Sequence, residues 1–197
     1  MLLKLLVVIA SLTFVLADTN PRKLYKTKDI ENIDGDIVND VQIAPFKDPF
    51  DDIDYRLPNN TRPIHYDIWL KTDIDQGELG FSGRVSIHIE ALENTNEITL
   101  HYRQLTIMNI DLLRSTGGSI QSNVPYTKKD DVEFLVIKPS ARLIENANYT
   151  IVISYIGQLR SDDAGFYRSS YTDESGNKKW LATTQFESTD ARHAFPW

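Results

Sequence analysis

RVSIHIE, residues Arg84–Glu90, is the stretch whose reading decides the fold. Val85, Ile87 and Ile89 are apolar, while Arg84, Ser86, His88 and Glu90 are polar or charged. In an extended chain one set therefore faces a core and the other faces water. The alternation spreads in both directions. Ile64, Tyr66, Ile68 and Leu70 show it upstream; Ile98, Leu100 and Tyr102, then Phe134 and Val136, then Tyr149, Ile151, Ile153 and Tyr155 show it downstream. Turn-rich clusters such as TDIDQGELG, STGG, KPSARLIENAN and DESGNKK separate these runs. Gly176 and Asn177 predict a hairpin between Tyr171 and Trp180. No stretch sustains a capped 3.6-residue period, and no repeat of fixed length occurs. Roughly seven to nine short strands at this spacing predict an all-β fold, an antiparallel β-sandwich or saddle-like sheet.

The ends of this pattern set the domain organisation. MLLKLLVVIASLTFVLADTN opens the chain with one lysine and an apolar run from Leu5 to Ala17, shorter than the about 20 residues that span a bilayer. It reads as a signal peptide over 1–17, cleaved after Ala17, and not as a membrane span. Residues 18–54 are acidic and lack apolar periodicity, so they cannot offset the entropy of ordering and are expected to form a flexible linker. The domain itself is expected over 55–197. With 41% hydrophobic and 10% aromatic residues it can bury a sizeable core, and with no cysteine it must do so without disulfides. The net charge of −7 argues against nucleic acid or an anionic membrane as partner. The sequons at Asn59 and Asn148 agree with a secreted, extracellular glycoprotein.

Self-contained chemistry is hard to find. None of the four histidines begins an HExxH motif, and none has a second histidine four residues on. His88 and Glu90 share a strand face, but alternating polar residues are the ordinary dress of a half-buried strand. There is no GxSxG elbow, no cysteine and no phosphate-binding glycine loop. The residues alone give no catalytic group and no metal ligand set.

Five segments carry more. YRLPNNTRPIHYDIWL, FSGRVSIHIEALENTNEITLHYRQLTI, YTIVISYIGQL, GFYRSSY and TTQFESTDARHAFP resemble, in this order, the zinc aminopeptidases of the aminopeptidase N type, over Tyr55 to Trp197. The resemblance implies the amino-terminal β-domain of that family. It packs there against a separate catalytic domain whose HExxH motif, downstream glutamate and GAMEN loop lie beyond the point at which this sequence stops. The resemblance therefore implies no cofactor in this chain, zinc in the complete enzyme, and no hydrolysis by the chain alone. Its partners are peptide amino termini in a complete enzyme, and a catalytic domain or another protein at the carboxyl-terminal seam.

Two residues carry over. Gln185 matches a glutamine beside the first substrate side chain, and Glu187 matches a residue that helps hold the substrate's free amino group. Asp190 and Arg192 are expected to fix the turn at the seam, and Tyr167 and Tyr171 to pack in the sheet. Two other readings stand beside this one: a free-standing secreted β-sandwich that binds or acts as a decoy, and an incomplete gene product. A full-length relative could sit at the cell surface; this chain, without an apolar tail, is expected to be released.

Overall fold

The computed structural model describes residues 54–116 and 118–197. The expected leader with Ala17, and all of the acidic stretch except Asp54, lie outside the described residues. Ten strands follow one another: β1 (Thr61–Thr72), β2 (Gly80–Ala91), β3 (Ile98–His101), β4 (Thr106–Arg114), β5 (Ser119–Gln121), β6 (Tyr126–Lys129), β7 (Phe134–Ile137), β8 (Asn148–Gln158), β9 (Gly165–Thr172) and β10 (Lys178–Gln185). Single 3-10 turns at Ile74–Gln76 and Asp190–His193 are the only helical elements among the described residues. The fold is all-β, as the alternation predicts.

The strands form a five-stranded sheet in the order β1-β2-β8-β4-β5, a three-stranded sheet in the order β3-β7-β6, and the hairpin of β9 and β10. All pairings between these strands are antiparallel. The quoted stretch lies in β2, between β1 and β8. Val85 faces Ile68 on one side and Ile153 on the other; Ile87 faces Tyr66 and Ile151. Val85, Ile87, Ile151 and Ile153 are fully buried. Each such aliphatic side chain contributes about 1.5–3 kcal/mol relative to exposure. Ile98, Leu100, Leu135 and Ile137 of the second sheet join the same apolar cluster, so the two sheets form a sandwich over one core.

The hairpin appears where Gly176 and Asn177 predict it, with Thr172 paired to Lys178. Asp173 closes it by accepting hydrogen bonds from the backbone N–H of Ser175 at 3.0 Å and of Asn177 at 2.8 Å.

Several expectations need correction. Ile64 is 56% exposed, because the register of β1 on β2 slips between Pro63 and His65 and leaves Ile64 as the extra residue of a bulge. Phe134 and Val136 are buried, but Leu135 and Ile137 are the β7 residues in the main core. This short central strand is covered on both faces, so alternation cannot tell them apart. Tyr171 is 55% exposed rather than packed in a sheet. Ten strands exceed the expected number because β5 is very short and β6 is a wholly exposed strand, YTKK, with no apolar alternation to betray it.

Gly83 shows how tightly β2 lies on β8. A Cβ at this position would fall 2.3 Å from the ring of Tyr155, its cross-strand partner, which is 1% exposed. Gly83→Ala is expected to cost about 1–3 kcal/mol of overpacking, read as a lower urea midpoint with an unchanged m-value.

Candidate functional site

The candidate residues sit where β10 gives way to the carboxyl-terminal segment. Gln185 is the last residue of β10 and pairs with Gly165, the first of β9. Glu187 follows beyond the strand end, and the Glu187–Ser188 peptide bond is cis. Both side chains are exposed, and neither takes part in a hydrogen bond or ion pair among the described residues. Between them Phe186 turns inward as the alternation requires. Its ring meets Phe195 edge-on at 5.7 Å, and Phe195 lies 6.1 Å from Tyr66 of β1.

What fixes this strand end is the turn that follows. The N–H of Asp190 donates to the Phe186 carbonyl at 3.0 Å, and the N–H of Phe195 to the Ala191 carbonyl at 3.0 Å. Arg192 donates through Nε to the Thr189 carbonyl at 2.9 Å and pairs through Nη1 with Glu133 at 2.7 Å. The other Glu133 oxygen takes Arg103 at 2.9 Å, and the N–H of Arg103 donates to the Arg192 carbonyl at 2.8 Å. Arg192 thus fixes the seam turn as expected. Glu133, in a loop far away in sequence, is a partner that no local pattern announces. Trp197 closes the segment by exchanging backbone hydrogen bonds with His101 at 2.7 and 3.0 Å.

His193 behaves differently from a surface base. Its side chain is 2% exposed, and Arg160 Nη1 donates to its ring, with 2.9 Å to Nδ1. Burial, helped by the charges of Arg160 and Arg103, pushes its pKa down to about 4. His101, between an edge-on Phe134 ring and a tilted Trp197 ring, is likewise pushed down to about 4, by burial first and then by Arg192. Both imidazoles are neutral where the chain is folded at ordinary pH. Arg160, whose carboxylate partner is Asp162 and whose Nη1 also donates to Gln104 at 2.7 Å, lines a cavity of about 380 Å³ with Gln104 and His193.

Gly165 joins these parts. Its φ of +69° lies in the left-handed region, and a Cβ there would fall 2.6 Å from the Cβ of His193 and 3.0 Å from the Asp190 carbonyl. Only glycine lets the base of the hairpin, and with it Gln185, lie against the seam turn.

The remaining candidates are placed as follows. Asn59 is exposed on a turn before β1, and Asn148 is exposed at the first residue of β8. His88 is 3.3 Å from Asp67 and 3.0 Å from Thr150 Oγ1, while Glu90 accepts from Arg62. Hydrogen bonding from His65, at 3.0 Å, and from His88 holds the Asp67 carboxyl below the usual carboxylate range. His88 and Glu90 therefore serve separate partners. Among the described residues no group of three or more His, Asp or Glu side chains is arranged to hold a metal ion. No helix of the described residues is long and apolar enough to cross a membrane.

Two antiparallel sheets over one core, extended by a hairpin that ends at Gln185, define a β-sandwich module. Residues 62–197 match the family described as the peptidase M1 N-terminal domain. Over 172 residues, 78% of its length, the chain is 37% identical to the membrane alanyl aminopeptidase of Manduca sexta, of which it covers 17%. It is 37% identical over 150 residues to aminopeptidase N of Canis lupus familiaris and 33% identical over 145 residues to endoplasmic reticulum aminopeptidase 1 of Homo sapiens, covering 15% of each. The chain belongs to the peptidase M1 N-terminal domain family. It spans about a sixth of the length of these relatives.

Gly165→Ala is expected to cost about 2–4 kcal/mol, since positive-φ strain adds to the clash with His193, and to move the backbone amide shifts of Gln185 and Glu187. The pH response follows from the two neutral histidines. Unfolded, each titrates near 6.5, and folded near 4. The unfolded chain therefore binds more protons in that window, and stability falls as pH drops from 6.5 towards 4. The slope approaches about 1.4 kcal/mol per pH unit for each histidine. Urea titrations across the window measure it, and His193→Gln is expected to flatten it by one proton's worth.

Proposed function

We propose that this chain is the substrate-side amino-terminal domain of a secreted or cell-surface zinc aminopeptidase that removes residues from the amino end of peptides, and that the chain alone does not hydrolyse them. One observation carries the reading: Gln185 at the end of β10 and Glu187 just beyond it are exposed, with side chains unengaged among the described residues, where the seam turn anchors the chain. An α-ammonium group leaving water needs a carboxylate to offset its desolvation. Glu187 supplies one, and a peptide whose amino group is acetylated has nothing to offer it. Gln185, two residues back at the end of β10, offers a neutral amide beside the first side chain. On its own, an exposed Glu187 holds an amine by only about 0–1 kcal/mol. The grip becomes selective when a second domain shields it. Zinc-held water would supply the nucleophile in the complete enzyme, and the residues described here would supply the hold on the substrate.

The partner at the seam is a catalytic domain. Exposed apolar side chains towards the turn end of the hairpin, Tyr171, Trp180 and Leu181, support contact with another protein surface along the same hairpin whose base carries Gln185. A second reading, a free-standing binding or decoy module, is favoured by the closure of the seam upon itself, since Ala191, Ala194 and Phe195 are buried in the domain's own core.

A hybrid decides between them. With the domain replacing the matching segment of the Manduca sexta relative, hydrolysis of an alanine anilide is expected. Glu187→Gln is expected to lower kcat/KM by about 10–100-fold, the worth of a charge-assisted hydrogen bond. Full kcat/KM in that variant would refute the role of Glu187. Turnover by this chain alone with added zinc would refute its inertness.

A further inference from the structure

The outer face of the five-stranded sheet, opposite the sandwich core, carries a groove that the Gln185–Glu187 edge does not use. Strand register builds it. Trp69 stands opposite Arg84, Arg84 opposite Ser154, and Ser82 opposite Ile156. Met108 sits where the register of β4 on β8 slips between Ile107 and Asn109, so the bulge throws it outward. The bulky residues form the rim, with Trp69 47%, Ile156 45% and Met108 63% exposed. Ser82 and Ser154 are small and leave a floor between them. The result is a cavity of about 600 Å³. Three inter-strand spacings separate Trp69 on β1 from Met108 on β4, about 14 Å in all.

Arg84 gives the groove its chemistry. Arg62, Arg103, Arg160 and Arg192 each hold a carboxylate. The exposed guanidinium of Arg84 has no hydrogen bond or ion pair among the described residues. In a chain of net charge −7, an unneutralised arginine beside an exposed tryptophan and methionine is the composition found at the energetic centres of protein interfaces. We propose that this groove docks an acidic peptide segment of a partner protein. A bulky apolar side chain of that segment sits over Ser82 and Ser154, between Trp69 and Met108, and a neighbouring Asp or Glu pairs with Arg84. The serine hydroxyls at the edges of the floor suit the peptide backbone that flanks this side chain, whereas a bare alkyl chain would leave them unpaired and would itself lie wet in the open groove. A second copy of this chain fits poorly, because a two-fold contact centred here brings Arg84 against Arg84.

The test uses the full chain and the peptide acetyl-Ala-Asp-Phe-Asp-Ala-amide, followed by tryptophan fluorescence and by backbone amide shifts. Shifts confined to the neighbourhood of Ser82, Arg84 and Ser154 are expected, with affinity that falls as salt rises. Arg84→Gln should weaken binding about ten-fold, and Ser82→Phe should abolish it by filling the floor, both with an unchanged urea midpoint. A peptide with lysine in place of both aspartates should not bind. Equal affinity in Arg84→Gln, shifts elsewhere, or no binding would overturn the proposal. So would displacement of the peptide by dodecanoate at equal concentration, which would mark a lipid site, or a sedimenting dimer that Ser82→Phe dissolves.

Discussion

The pairing of β2 with β8 is the constraint from which the rest of the domain follows. Eleven consecutive register pairs join them, from Gly80 with Gln158 to Glu90 with Asn148. Because successive side chains alternate faces, this register places Val85, Ile87 and Ile89 beside Tyr149, Ile151, Ile153 and Tyr155 on the buried side. A slip of one residue would turn one of these rows to water while the other stayed on the buried side. Gly83 seals the register, since the ring of Tyr155 occupies the space where any other residue would put its Cβ. β1 and β4 then add at the flanks, and their two bulges are the places where the outer face departs from simple alternation.

The far end of β8 hands the chain to the site. Leu159 is buried, Arg160 turns in towards His193, and Gly165 starts the hairpin against the seam turn. The open edge is thus held from behind by a neutral histidine, two arginines sharing Glu133, and an aromatic contact from Phe186 to Phe195. The histidine and arginine contacts are long-range, and the aromatic one spans the seam turn itself. Together they let two exposed polar side chains keep their place without bonds of their own among the described residues.

Legibility in the sequence divides along the same line. Alternation exposed β1 and β2 because each turns one face inward, and β8 through Tyr149, Ile151, Ile153 and Tyr155, although Thr150 and Val152 on its other face are buried as well. It failed at Ile64, where a bulge changes the count, and at β7, where both faces are dry. The turn at Gly176 was readable because Asx and glycine chemistry is local. The Glu133 pairings with Arg103 and Arg192 were not, since they join loops far apart in the chain. Gln185 and Glu187 stood out only through the likeness of TTQFESTDARHAFP to a family segment, for by residue type they are an ordinary polar pair on a strand. No local pattern announces the role of His193, whose burial against Arg160 makes it a neutral acceptor.

The double backbone bond between Trp197 and His101 has a mechanical consequence. Tension applied at the carboxyl end passes first into β3 and the three-stranded sheet, with Arg192 and Glu133 as a second tether. The hairpin lies off that load path. Tugging at Trp197 therefore loads β3 before it reaches the Gln185 edge.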